Sequence, residues 1–524
     1  MNSFDYSIVA LYLIALMSMG YFFRRQKTKS DYFLGGRSLG WKPLTLSVMA
    51  TQLSAISFVS APGFVGLREG GGLKWLSYEL AVPLAMILLL TTVLPILYRS
   101  GVVSIYDYLE QRFGRTSRLL LSVIFQFSRA FATGIMIYAV SMILQSTMGV
   151  ELWQSIVIIG VITVIYSLEG GMKAVVYGDA IQMIIIVFGT ILCIYFGLQY
   201  IGGIQGLVSQ VEPERLQAIN FSSVGTNGEG FGFLPMVFGG IVLYASYYGC
   251  DQTQAQRALS AQNPQQLKQM MMANGLLRFP ITLLYCFAGL IIGTFAKTNI
   301  EFMNAIPDAN PDWMIPIFII NYMPHGIIGL LVVAILAAAM SSLSSTINSL
   351  AAVTLEDICR LKDKKLDDKN YLKSAKYIAL FWGVVTLVLS FYAGDIAPTV
   401  IEAINKIGSV FYGPILALFL MAVFDKRLTG LQINIGLLSG VIVNLYLWLD
   451  VPSLFWFWWN LVGLFVTISV SYISLLFTSK QRTPYQPDNS VNTSPILNTK
   501  DIVILMSAFV AMIAIGLAIP NWLS

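Results

Sequence analysis

The chain has 524 residues, 56% of them hydrophobic and only 11% charged, with a mean hydropathy of +0.72. Soluble domains carry about 25% charged residues, so this composition excludes a water-soluble core and requires long apolar runs that face lipid. The net charge of +5 does not point to nucleic acid, because the basic residues have a topological use.

The first apolar run, Ile8 to about Phe23, has no basic residue before it and Arg24-Arg25 after it. A secretory signal has the opposite polarity, so this run reads as a membrane helix with its N-terminus outside. A spanning helix needs about 20 mostly apolar residues. That length predicts fourteen spans, near 5–23, 43–66, 75–98, 117–146, 153–169, 175–200, 233–250, 269–296, 325–359, 375–393, 399–424, 429–449, 455–478 and 501–521. The alternate loops then divide the Lys and Arg residues 25 to 4. Such a bias marks the basic loops as cytoplasmic and predicts both termini outside. The 201–232 loop falls outside and carries Glu212, Glu214 and Glu229; the polar 479–500 loop falls inside as a tether.

Charges inside a span are costly and read as functional by default. The basic ones are Arg129, Arg278 and Lys406; the acidic ones are Glu79, Asp179 and Glu402. Glu402 and Lys406 are four apart and are expected to pair on one helix face. Two spans look interrupted. The second places Thr51-Gln52-Leu53-Ser54-Ala55-Ile56-Ser57 at mid-depth, followed by Pro62-Gly63; the seventh holds Gly239-Gly240 and Ala245-Ser246-Tyr247-Tyr248-Gly249. They are five spans apart, and broken helices at corresponding positions of two halves point to a transporter's binding site. In Ala337 to Thr346, Ser341, Ser344 and Ser345 share one helix face, with Ala338 and Ser342 on an adjacent stripe. Clustered hydroxyls and carbonyls suit an alkali cation; close packing of small residues is the alternative. The four cysteines (Cys193, Cys250, Cys286 and Cys359) lack metal-site spacing. His325, the one histidine, reads as structural and leaves no Ser–His–Asp triad or zinc cluster. The chain is not expected to be an enzyme.

With these features in place, the chain resembles the sodium:solute symporter family, and within it the bacterial sodium/sugar and sodium/sialate symporters. The resemblance runs from about residue 5 to 450. It rests on Asp31-Tyr32-Phe33-Leu34-Gly35-Gly36-Arg37, on Tyr166 through Val176, on Asp179-Ala180-Ile181-Gln182, on Gln256-Arg257 and on Ala338 through Asn348. It implies an all-α membrane protein with a LeuT-like core of five plus five helices in inverted repeat. That core spans residues 43–424, after a leading helix (1–24) and before three trailing helices (429–521). It implies sodium as coupling ion, a small polar organic solute as cargo and, for a bacterial chain, an inner-membrane location; oligomeric state stays open.

By position, the family's general sodium site maps to the carbonyls of Ala50, Leu53 and Ala338 and the hydroxyls of Ser341 and Ser342. Asp179, Ser341, Ser344 and Ser345 match a second sodium site of some members, although Asp179 also reads as a helix-end carboxylate. Two ions are expected, which would supply about 4.6 kcal/mol per 100 mV to a neutral solute. For the solute, the resemblance points to Gln52, Ser54, Ser57, Glu79, Arg129, Tyr248, Arg278 and Asn405. Glu79 resembles a substrate-binding glutamate of the sugar carriers, with Arg278 where they have a lysine and Asn405 near their glutamine. Gln52 and Ser57 depart from the sugar pattern. Arg129 resembles the carboxylate-binding arginine of the sialate carriers, and Tyr248 an inner-gate tyrosine. A carboxylate or acidic sugar is therefore slightly favoured over a neutral sugar or polyol. A sodium sensor on the same fold is the alternative of another class, and proton coupling through Asp179 the alternative among transporters.

Overall fold

The computed structural model describes residues 1–53, 55–228, 230–307, 310–359, 368–392, 399–477 and 494–523. Its apolar runs fold as helices because in hydrocarbon each backbone N–H and C=O must find a partner within its own segment. Among the described residues, eleven helices are long and apolar enough to cross a membrane, or twelve when the bent pair Trp41–Gln52 and Ser57–Gly66 counts as one. Two features separate this count from the expected fourteen. The spans at 153–169 and 175–200 run together as Leu152–Ile201, where Gly171 leaves helical geometry (φ 55°, ψ −156°). A Cβ at Gly171 would meet the Tyr32 carbonyl oxygen at 2.9 Å, so glycine is required there for conformation and for space. The span at 233–250 is a π turn, Pro235–Gly239, followed by an eleven-residue helix, Gly240–Cys250.

The principal helices are α1 (Ser3–Phe22), α2 (Trp41–Gln52), α3 (Ala55–Gly66), α4 (Leu73–Thr91), α5 (Arg115–Met148), α6 (Leu152–Ile201), α7 (Gly240–Cys250), α8 (Gln252–Leu259) and α9 (Pro264–Thr298). They continue with α10 (Met314–Tyr322), α11 (Ile327–Val353), α12 (Asp368–Ser390), α13 (Val400–Phe424), α14 (Gly430–Asp450), α15 (Phe457–Leu476) and α16 (Thr499–Trp522). The broken pair α2/α3 opens one set of five spans. The pair α7/α8, broken at Asp251 (φ −102°, ψ 124°), opens the other. This is the LeuT-like inverted repeat.

Burial ranks the helices. The span built on α11 is 89% buried and forms the axis, whereas α1, α12 and α16 are 22% buried and face lipid. The reason is compositional, since α11 carries small and hydroxyl residues that let neighbours approach. The same device joins α3 to α9. Gly289 and Gly293, one turn apart, face Pro62 and Gly66, and a Cβ on Gly293 would lie 2.4 Å from the Gly66 Cα. The leading helix is tied to the axis by Asp5, which accepts from the Gly326 N–H at 2.6 Å and the Gly329 N–H at 3.1 Å and pairs with His325 Nδ1 at 3.0 Å. His325 thus has the structural partner its position suggests.

Candidate functional site

The break between α2 and α3 places polar groups at the molecule's centre. Leu53 leaves helical geometry (φ −84°, ψ 61°), and its N–H bonds the Met49 carbonyl at 2.7 Å. A helix end frees its last carbonyls, here opposite the serine stripe of α11. The Ser342 hydroxyl lies 3.4 Å from the Thr51 carbonyl oxygen and 3.5 Å from that of Ala338. Ala50, Leu53 and Ser341 are buried beside them. These are hard oxygen ligands of the kind an alkali cation takes.

One turn deeper, the serines serve a different purpose. Asp179 accepts from Ser341 at 2.6 Å, Ser47 at 2.6 Å and Ser345 at 3.4 Å. It also pairs with Arg257 at 2.8 Å, and the two side chains are 0% and 1% exposed. Arg257 donates further to Ser47 at 2.7 Å and to Ser345. Ser344 turns back to the Ser341 carbonyl at 3.0 Å. The structure therefore brings Asp179, Ser341 and Ser345 together, but with a guanidinium already against the carboxylate. Gln256-Arg257 was visible as a family-like pair; that the arginine would neutralise Asp179 was not. A fully buried carboxylate needs such a partner.

A cavity of about 110 Å³ adjoins the Thr51/Ser342 oxygens. Gln52, Ser57, Glu79, Arg129, Arg278 and Asn405 all line it. Tyr248 does not; Tyr247 does. One position along a helix rotates a side chain by about 100°, which puts Tyr248 on the next face. Ser54 lies outside the described residues.

Two arginine–carboxylate pairs sit on the cavity wall. Glu79 accepts from Arg278 Nε at 2.9 Å, from Arg278 Nη2 at 3.2 Å and from the Tyr244 hydroxyl at 2.9 Å. Arg129 donates through Nε to Asp251 and through Nη2 to the Tyr412 hydroxyl at 2.9 Å, under the Tyr247 ring at 4.9 Å. Asp251 and Tyr412 were not anticipated. Asp251 lies between the end of one helix and the start of the next, a position that the sequence reading placed in the loop after the 233–250 span. Among the described residues, several lining groups are buried without a hydrogen-bond partner: Gln52 Oε1, Arg278 Nη1, Thr282 Oγ1 and the Tyr78 and Tyr285 hydroxyls. Buried polar groups are normally satisfied, so orphans gathered on one cavity wall mark a place for a polar ligand.

The expected pairing of Glu402 with Lys406 does not form. Glu402 takes Arg68 bidentately, at 2.9 and 3.1 Å, because Arg68 at the end of α3 reaches the first turn of α13 in fork geometry. Lys406 lies 5.5 Å over the Trp448 ring. Neither Arg68 nor Glu402 lines the cavity; Glu402 follows Ile401, which does.

The sodium:solute symporter family pattern matches residues 32–443. The chain is 29% identical over 450 residues to "Sodium-coupled monocarboxylate transporter 2" of Bos taurus, covering 84% of this chain and 72% of the relative. It is 27% identical over 452 residues to the "Sodium/iodide cotransporter" of Homo sapiens, covering 85% and 69%. In fold it is similar to a solved Na+-coupled sialic acid symporter, with a TM-score of 0.81 at 24% identity, covering 92% of this chain and 99% of that one. The fold, the broken helices and the match over most of the length agree: the chain belongs to the sodium:solute symporter family, a family of transporters, not enzymes.

Proposed function

We propose that this protein imports a small organic carboxylate together with sodium by alternating access, as a multi-pass protein of the bacterial inner membrane with both termini outside. The carrying observation is Arg129. Its guanidinium lines the cavity, yet Nη1 makes no hydrogen bond among the described residues. A guanidinium edge is the preferred partner of a carboxylate. The relatives include carriers named for monocarboxylates and sialic acid, which supports the same reading.

Sodium is held in this reading by the carbonyls of Ala50, Leu53 and Ala338 and the hydroxyls of Ser341 and Ser342, with the Thr51 carbonyl added. These groups touch the cavity through Thr51, Leu53 and Ser342, so ion and solute stabilise each other's sites. Residues 43–424 carry the transport, with the leading and trailing helices as supports. For the second ion, Asp179 already has Arg257 as counter-ion, and Ser344 is turned to its own helix. The reading is therefore one sodium per solute in place of the two that the resemblance implied. A monocarboxylate would then cross with no net charge.

A second reading has its own support. Glu79 and the unpartnered hydroxyls of Tyr78, Thr282 and Tyr285 suit a polyhydroxylated solute. Uptake into proteoliposomes under an inward sodium gradient decides, with labelled pyruvate, glucuronate and glucose. Carboxylate uptake that Arg129→Gln reduces by about a hundredfold, the loss expected when an ion-paired hydrogen bond goes, supports the first reading. Glucose uptake that depends on Glu79 would replace it. An imposed potassium diffusion potential tests stoichiometry: pyruvate uptake that accelerates with inside-negative potential would require a second sodium.

A further inference from the structure

A second, smaller cavity of about 30 Å³ adjoins the first. It shares Arg129, Ala132, Ile404 and Tyr412 with the first and adds Asp251 and Cys250. On α5, α7 and α13, its lining residues lie further toward the ends that the basic loops assign to the cytoplasm. Thirty cubic ångströms admits a water and no solute. The Arg129–Asp251–Tyr412 cluster thus stands between the solute cavity and the inward path.

We propose that Asp251 is an internal stand-in for the solute's carboxylate: it occupies Arg129 while the cavity is empty and yields it when a carboxylate binds. The inference rests on the carboxylate reading above. Three observations carry it. Asp251 divides its carboxylate, giving Oδ2 to Arg129 and Oδ1 to the Thr253 N–H at 2.8 Å. When Arg129 leaves, the remaining charge stays at the N-terminus of α8, where backbone donors and the helix dipole favour it. That makes the exchange feasible where stripping an ordinary buried carboxylate would not be. Second, Asp251 lies at the junction of α7 and α8, so its release frees a hinge and not a rigid wall. Third, Arg129 is also bonded to Tyr412 of α13, so movement of its guanidinium shifts both sides of the constriction. A neutral solute cannot displace Asp251, which makes this residue a specificity element as well as a positioning one.

Cys250, buried on the second cavity, reports the change. The full chain carrying Cys359→Ser is reconstituted, and an impermeant thiol reagent is applied from the cytoplasmic face. In the presence of sodium, glucuronate should raise the labelling rate of Cys250 about tenfold and glucose should not. Labelling that responds equally to both, or to neither, overturns the proposal without any change at Asp251. Asp251→Asn keeps the helix cap but removes the competing charge. It should label at the high rate without solute and lower the half-saturating glucuronate concentration about tenfold. Unchanged labelling and affinity, or weaker binding, overturn the proposal. Uptake that still depends on Arg129 in that case leaves the carboxylate reading standing; carboxylate uptake indifferent to Arg129→Gln removes both.

Discussion

The two arginine–carboxylate pairs on the cavity wall are built from the same groups and are held differently. Glu79 is 1% exposed and gives both oxygens to Arg278, with Tyr244 as a third donor, and the Tyr78 and Tyr244 rings stack at 4.3 Å over the site. Asp251 gives one oxygen to Arg129 and the other to a helix N-terminus. The first pair commits both carboxylate oxygens to the arginine, and its further donor is a tyrosine hydroxyl. The second leaves one oxygen on a backbone N–H at a helix N-terminus, and one guanidinium nitrogen, Nη1, without a hydrogen bond among the described residues. One pair is a fixed wall that presents Arg278 Nη1 and neighbouring hydroxyls; the other can exchange.

The largest expected effect breaks the first pair. Glu79→Gln leaves Arg278 charged and buried without its partner, and removal of one member of a buried pair costs roughly 3–5 kcal/mol. Thermal unfolding in detergent should show that loss. The double change Glu79→Leu with Arg278→Met, which removes both charges at similar volume, should restore most of the melting temperature while abolishing solute binding. If the double variant melts as low as the single one, the pair is not the fixed wall described. The contrast is sharpened by Asp251→Asn, which should lose far less stability, because Asn caps α8 as well as Asp does.

Neither pair is assigned to sodium, so a change at the ion's oxygens should leave both pairs intact. Ser342→Ala removes the hydroxyl between the Thr51 and Ala338 carbonyls. Its sodium half-saturation should rise about tenfold, equivalent to roughly 1.4 kcal/mol. At saturating sodium the solute affinity should return to the parent value. A solute affinity that stays weak under saturating sodium would place Ser342 on the solute and not on the ion.

What the sequence made legible follows from the range of each signal. The break at Thr51–Ser57, the serine stripe and the intramembrane charges are local, and the structure collects Gln52, Ser57, Glu79, Arg129, Arg278 and Asn405 around one cavity. What stayed hidden depends on partners from distant helices. Arg257 reaches Asp179 across 78 positions and Arg68 reaches Glu402 across 334. No periodicity records such pairings. A local i, i+4 rule therefore chose Lys406 for Glu402, and a bidentate guanidinium from another helix outcompeted it. Tyr248 came from the resemblance and not from a periodicity; of the two neighbouring tyrosines it is Tyr247 that lines the cavity, and because a helix in a membrane bundle is buried on several faces, apolar pattern alone does not say which of them does.

The smallest predicted effect extends the comparison to the outer end of the bundle. Glu402 there has Arg68, while Asp312, just before α10, has no cation among the described residues. Asp312 accepts from the Val400 N–H at 2.9 Å through Oδ2, and its Oδ1 is sealed from solvent without a hydrogen-bond partner among the described residues. Burial, with the Glu402 charge adding to it, pushes its carboxyl up to about 6, against a weaker opposing hydrogen bond from Ser60. A carboxyl raised in the folded state binds its proton more tightly there than in the unfolded chain. Its contribution is then fully present below the unfolded value of 3.8 and is lost as pH rises through about 6. The melting temperature of the protein should accordingly fall as pH rises from 3.8 through about 6 by an amount that Asp312→Asn removes, since the amide cannot ionise. The two proteins should converge below pH 3.8 and separate progressively as pH rises through about 6, with the variant higher. A separation of the opposite sign would mean that ionised Asp312 is stabilised by a cation after all, and that the outer end closes like the Arg68–Glu402 bridge beside it.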